Sequence, residues 1–183
     1  ILENCGANGD ITFKFQSGTY GPLTIGDLKE YIGNYSLTIT SVTGNAEDVV
    51  FERTSGTYAV NISGTQNIIL RNVTIENAIT NATAATYALL LSGNLNNIEV
   101  RDCQILMDTT VTSSYYYVIY KTSTGVLDGV RIINNVIRGG YYGVYLYGGS
   151  STSVYGFNLV LDSNLIFGQY YYATYLYYAD FNS

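Results

Sequence analysis

Four stretches of this 183-residue chain align without a gap: NIILRNVTI (67–75), NIEVRDCQI (97–105), GVRIINNVI (129–137) and NLVLDSNLI (158–166). A self-similar unit of about 30 residues, carrying short strands at one register, is the signature of a stacked one-dimensional architecture. The alignment yields three apolar columns. Ile68, Ile98, Val130 and Leu159 form one, Leu70, Val100, Ile132 and Leu161 a second, and Ile75, Ile105, Ile137 and Ile166 a third. Alternate side chains of a strand face one way, so these columns are expected to point inward as aliphatic ladders. Leu37 and Ile39 of SLTITSV fit one period upstream, and ITFKFQSGTY (11–20) is expected to form the first coil. Val73, Cys103, Asn135 and Asn164 share the position just after the strand, where the two asparagines suggest a short ladder of buried amides.

A second set of strands repeats with the same regularity: YAVNIS (58–63), YALLLS (87–92), YVIYKT (117–122), YGVYLY (142–147) and YATYLY (172–177). The leading tyrosines, Tyr58, Tyr87, Tyr117, Tyr142 and Tyr172, are expected to stack at a corner. With Val60, Leu89, Ile119 and Val144 inward, alternation turns Tyr120, Tyr145 and Tyr175 outward together with Tyr147 and Tyr177. Tyr116, Tyr141 and Tyr171 join them if the strand extends back by one residue. Lys121 then falls in an inward column, which leaves the register there in question. The eight outward tyrosines are the candidate binding residues, because a contiguous aromatic face normally marks an interaction surface for a sugar or another protein. The alternative is that they are internal packing.

The composition agrees with strands. Tyrosine occurs 20 times and glycine 19, with one proline, no tryptophan and no histidine, and only 12% of residues are charged. Val, Ile, Thr and Tyr favour pleated structure, so the chain is expected to be all-β and a single domain over 1–183, with 1–10 as the remnant of an N-terminal cap and 11–183 as six to seven coils. A net charge of −6 disfavours nucleic acid and anionic membranes, and no apolar run is long enough for a membrane span. Cys5 and Cys103 lie about three coils apart, a separation of more than ~10 Å at ~4.8 Å per coil, so two buried free thiols are expected.

Strands with three aliphatic columns and an Asn, Asp or Ser at the turn resemble the right-handed parallel β-helix, or pectate-lyase-like, superfamily over residues 11–178. The opening CGANGDITFKFQSGTYGPLTI and the following LTITSVTGNAEDVVF resemble the first coils of β-helix repeat regions in large secreted or surface proteins of Bacteroidota-type bacteria. There a capping helix precedes the coils, and ILENCGA would be its tail. The resemblance implies an extracellular or periplasmic setting, and a secreted or cell-surface protein is expected. It leaves function open, since such folds serve as lyases, hydrolases, adhesins and passive stalks.

Without histidine, catalytic triads and His-based zinc sites are excluded, and no CxxC, P-loop or calcium-loop motif is present. No cofactor, metal or catalytic residue is assigned. The enzymatic alternative is a polysaccharide lyase using the outward cluster of Glu99, Arg101 and Arg131, with Arg71 nearby. One carboxylate among arginines is better read as an ion-pair cluster. Asp102, Asp108, Asp128 and Asp162 sit at different offsets and do not converge as a hydrolase requires. Asp108-Thr109-Thr110 matches a short bacterial O-glycosylation pattern, making Thr109 a candidate modification site. The sequence stops at YYATYLYYADFNS inside a tyrosine strand, so the repeat is expected to continue, through more coils of the parent chain or through a second subunit stacked end to end in a filament. The reading favoured is a non-catalytic structural or adhesive module contacting a glycan or protein through its tyrosines.

Overall fold

The computed structural model describes residues 6–122, 124–147, 156–177 and 179–181. It is an all-β parallel solenoid, in which every strand pairing is parallel and joins one coil to the next. Three faces run the length of the molecule. Face 1 holds Ile11–Phe15, Leu37–Ser41, Gln66–Arg71, Leu95–Arg101, Leu127–Ile133, Gly156–Asp162 and Ala179–Phe181. Face 2 holds Gly18–Tyr20, Val49–Glu52, Thr74–Asn77, Gln104–Met107, Val136–Arg138 and Leu165–Phe167. Face 3 holds Leu23–Ile25, Tyr58–Ser63, Thr86–Ser92, Tyr116–Lys121, Tyr142–Tyr147 and Tyr172–Tyr177. From first rung to last the solenoid makes about five turns, slightly fewer than the repeat suggested. Each aligned block is two strands rather than one, because a corner separates face 1 from face 2 within it.

That corner is built by residues that tolerate a left-handed backbone. Asn72, Asp102, Asn134 and Ser163 occupy it with φ of 53–55°, a conformation that costs most residues a Cβ–carbonyl clash but is eased for short polar side chains. A second left-handed column, Asn67, Asn97, Gly129 and Asn158, lies within face 1. Stacking turns these residues into ladders: Asn97 Nδ2 donates to Asn67 Oδ1 at 2.8 Å, and Asn134 Nδ2 to Asp102 Oδ1 at 2.6 Å. Between face 3 and face 1 the turn residue is Gly64, Gly93 and then Gly125, all at positive φ. A Cβ on Gly125 would overlap the backbone carbonyl of Gly93, so this corner also needs glycine for room.

The amide ladder forms as the shared position predicts. Asn164 Oδ1 accepts from both the backbone N and Nδ2 of Asn135 at 3.0 Å, and Asn135 Oδ1 accepts from Cys103 N at 3.0 Å. Asn164 Nδ2 donates to Ile132 O and Asn135 Nδ2 to Val100 O, each bonding to the same core column one coil earlier. Cys103 takes that place in its own coil, with Sγ directed at Leu70 O (3.6 Å) and Arg101 O (3.1 Å). Its thiol is free and buried, and burial pushes its pKa up to about 12. Cys5 and the expected helix tail over residues 1–5 lie outside the described residues, and residues 6–10 contain no helix. The helical pieces described are one turn at Lys29–Ile32 and a 3-10 turn at Ala46–Asp48.

The interior is the aliphatic ladder set. Ile68, Ile98 and Val130 stay aligned across adjacent rungs, as do Leu70, Val100 and Ile132, and all are essentially inaccessible. Face 2 contributes Phe51, Ile75, Ile105 and Ile137, while face 3 contributes Val60, Leu89, Ile119 and Val144. Near the N-terminal end the filling is aromatic, with the Phe15 ring 5.1 Å from both Tyr20 and Phe51.

Lys121 does lie inward, paired in register with Leu91, and is fully buried. Its ammonium donates to the carbonyls of Thr122 (2.7 Å), Thr124 (2.7 Å) and Gly125 (3.0 Å), tying down the turn that follows. A buried charge survives only when hydrogen-bonded. Here the acceptors are backbone groups of its own turn, which is why the register holds despite the charge.

Candidate functional site

The strands of face 3 do not alternate simply. From Tyr116 to Lys121 the pattern is in, out, in, in, out, in, and the adjacent rungs repeat it. The extra inward residue is Ala59, Ala88, Val118 and Gly143 in successive coils, each buried. Small side chains suit it, since a Cβ on Gly143 would overlap the Ala173 carbonyl. The consequence is that tyrosines three apart both face out, on either side of the irregularity.

Two tyrosine columns result. Tyr58, Tyr87, Tyr117, Tyr142 and Tyr172 are in register along one, and Tyr120, Tyr145 and Tyr175 along the other. The expected outward residues Tyr120, Tyr145 and Tyr175 are therefore found outward. Tyr147 and Tyr177 pair at 5.1 Å between ring centroids. The structure corrects Tyr116: it is 2% exposed, its ring faces the core, and its hydroxyl accepts from Ala82 N at 2.7 Å. Alternation counted back from Tyr120 loses phase at the Val118–Ile119 pair, so Tyr116 and Tyr117 exchange places. Tyr141 follows Tyr116, half-buried against the core, whereas Tyr171 in the last full coil is 55% exposed. Tyr117, Tyr142 and Tyr172, assigned to a corner by the sequence reading, belong to the outward array. The signal for them was present: each leading tyrosine is followed by a small or branched residue and then a β-branched or aliphatic one.

Within the array rings stack along the solenoid axis. Tyr145 and Tyr175 lie 4.5 Å apart at 13°, Tyr117 and Tyr142 4.9 Å apart at 21°, and Tyr120 and Tyr145 5.5 Å apart at 29°. The columns also lean on one another, with Tyr117 and Tyr120 at 4.7 Å and Tyr142 and Tyr145 at 5.2 Å. Ring faces are thus turned toward neighbouring rungs, and edges and hydroxyls toward solvent. Burial first, and the neighbouring phenols second, raise the pKa of Tyr87, Tyr117, Tyr142 and Tyr145 above the ordinary 10.0, and burial alone raises that of Tyr120. The hydroxyls stay protonated and able to donate throughout the physiological range.

The charged cluster forms on face 1. Glu99 accepts from Arg101 at 3.4 Å and Arg131 at 3.2 Å, and Arg101 Nε also reaches Asp102 at 2.8 Å. Burial works to raise the Asp102 pKa, but hydrogen bonds from Arg101 and Asn134 and the charge of Arg71 outweigh it and hold the carboxyl below its usual range. Thr109 is exposed in the connector after face 2 of its coil, next to Asp108, whose carboxylate accepts from the backbone N and hydroxyl of Thr110. No group of three or more His, Cys, Asp or Glu residues is arranged to hold a metal among the described residues, and no helix there is long and apolar enough to cross a membrane. No known protein family, curated protein or solved structure matches the chain. The fold and this surface therefore define it only as a parallel β-solenoid with an aromatic face.

Proposed function

We propose that this chain is a non-catalytic structural or adhesive module of a secreted or bacterial cell-surface protein, with the tyrosine face as its contact surface for a glycan or protein. It fits among the pectate-lyase-like β-helices, and its first coils favour the Bacteroidota-type surface proteins they resemble. The observation that carries the reading is the tyrosine array itself: stacked rings ordered on a rigid solenoid and left partly exposed, where isolated monomers seldom keep contiguous aromatic surface. Tyrosine is enriched in contact surfaces because it combines apolar area, few rotatable bonds and a polar tip. Glu99 is engaged by Arg101 and Arg131, and Asp102 by Arg101, which supports an ion-pair role there.

Retention of the protein on surfaces coated with glycans or host proteins tests this directly. Tyr120→Lys with Tyr145→Lys should abolish retention while leaving the fold intact. Unchanged retention would remove the face from consideration. Depolymerisation of uronate polymers by the wild type, lost in Arg131→Ala, would overturn the non-catalytic reading.

A further inference from the structure

The array is long, narrow and without charge. In all six strands of face 3 the only acid or base is Lys121, and its ammonium is turned inward onto backbone carbonyls. On a chain of net charge −6, that neutrality is local and specific. The hydroxyls of Tyr117, Tyr120, Tyr142, Tyr145 and Tyr175 make no hydrogen bond to protein among the described residues, although their rings are packed against one another. They form a comb of donors and acceptors spaced by one rung, ~4.8 Å.

We infer that this comb is the binding track for a neutral, unbranched glycan lying along the solenoid axis, one hexose unit per rung. The inference rests on the contact-surface reading above and narrows it. Three features select this occupant. First, ligand and surface share a repeat: an extended chain of linked pyranoses advances by about one rung per residue, so a contact made once recurs at each coil. Second, the lack of charge suits a polyol. A polyuronate would meet an acidic molecule with no arginine in any strand of face 3. Third, size weighs against a protein partner. From Tyr87 to Tyr177 the array spans four rungs, roughly 15 Å along the axis, giving a footprint of a few hundred Å², whereas a stable protein interface covers about 800 Å² on each side. A linear oligosaccharide needs no more than this.

The stacking geometry specifies the mode. Since ring faces are occupied by neighbouring rings, the sugar meets ring edges and hydroxyls, and hydrogen bonds carry much of the recognition. Rings already held by their neighbours lose little freedom on binding, which favours a modest but ordered contact.

Titration calorimetry with linear neutral hexasaccharides (gluco-, manno- and galacto-configured), against an oligogalacturonate of equal length, tests the assignment. A neutral oligomer is expected to bind and the uronate not. Tyr120→Phe, Tyr145→Phe and Tyr175→Phe keep ring and stack while deleting the hydroxyl, so each should weaken binding about fivefold, and the triple variant should lose it. Unchanged affinity in the triple variant, preference for the uronate, or no binding of any neutral oligomer would each overturn the inference. Sedimentation velocity adds another outcome: a concentration-dependent dimer dissolved by Tyr145→Lys would assign the face to a second copy, overturning the glycan track while leaving the contact-surface reading intact. If retention on every coated surface also survived Tyr120→Lys with Tyr145→Lys, both would fall.

Discussion

Face 1 and face 3 are both stacks of parallel strands, coil upon coil, and do opposite things with their outward columns. On face 1 the outward columns mix apolar Ile69, Ile133 and Val160 with the charged Arg71, Glu99, Arg101 and Arg131. Arg101 and Arg131 remain about half exposed (44% and 48%) while reaching for Glu99. On face 3 the outward columns carry rings that bury one another and raise each other's pKa. The inward columns beneath are alike: Ile98 under face 1 and Ile119 under face 3 are both fully buried. A solenoid thus separates two tasks by side-chain direction. Inward residues hold the stack together, and outward columns are free to differ, so that identity is written only on the surface.

The largest test of that separation uses one buried residue beneath each face. Ile98→Ala and Ile119→Ala should each cost about 3 kcal/mol in urea or guanidinium unfolding, because both leave cavities in a closely packed interior. Equal losses would sharpen the claim that the faces differ outside only. A much smaller loss under face 3 would break it, showing that the tyrosine array itself carries that side of the stack.

How far this division was readable from sequence depends on direction too. Ile98, Val130 and Leu159 announce themselves because their inward column repeats apolar residues at a fixed offset, and Asn135 and Asn164 because a buried amide must repeat to satisfy its neighbour. Cys103 is legible as a ladder member only by position, since its sulfur substitutes for an amide. The tyrosine face was half legible. Tyr120, Tyr145 and Tyr175 follow from alternation, but the added inward residue at Ala88, Val118 and Gly143 shifts the phase and misplaced Tyr116 and Tyr117. Lys121 is resolved only by the carbonyls of residues 122–125, whose convergence depends on the folded turn. No pattern of residue types encodes that.

A smaller effect separates ring from hydroxyl on face 3. Tyr145→Ala removes ring contacts with Tyr120, Tyr142 and Tyr175 and should cost about 1–2 kcal/mol, while Tyr145→Phe should fold as stably as the wild type. Equal destabilisation by both would mean that hydroxyls, not ring packing, hold the array.

Inward and outward residues of face 3 should also part in alkali. Tyr87, Tyr117, Tyr120, Tyr142 and Tyr145 keep their protons more tightly folded than a free tyrosine with its pKa of 10.0. Above pH 10 the unfolded chain therefore releases protons that the folded chain retains, and stability present below 10 is lost as the pH climbs. Lys121 acts oppositely and earlier: burial lowers its pKa from 10.5 to about 8, so between these values the unfolded state binds more protons and stability rises with pH. Denaturation midpoints across pH 7–11 should show a shallow rise followed by a fall. Lys121→Met should remove the rise, and Tyr117→Phe with Tyr145→Phe should reduce the fall. A fall untouched by the phenylalanines would detach the alkaline loss from face 3.

Face 1 supplies the smallest effect. Glu99→Ala deletes the carboxylate that Arg101 and Arg131 share, yet both arginines are well solvated and Arg101 keeps Asp102 at 2.8 Å. Water and salt screen exposed pairs, and holding long side chains in one geometry costs entropy, so the loss should be about 0–1 kcal/mol and vanish near 1 M salt. Tyr145→Ala, by contrast, should cost as much in high salt as in low, because ring packing is not screened. A salt-insensitive loss of 2 kcal/mol or more for Glu99→Ala would mean that the cluster braces adjacent coils as the tyrosines do. The outward columns of both faces would then share in stability, and the division between inward structure and outward identity would fail on face 1.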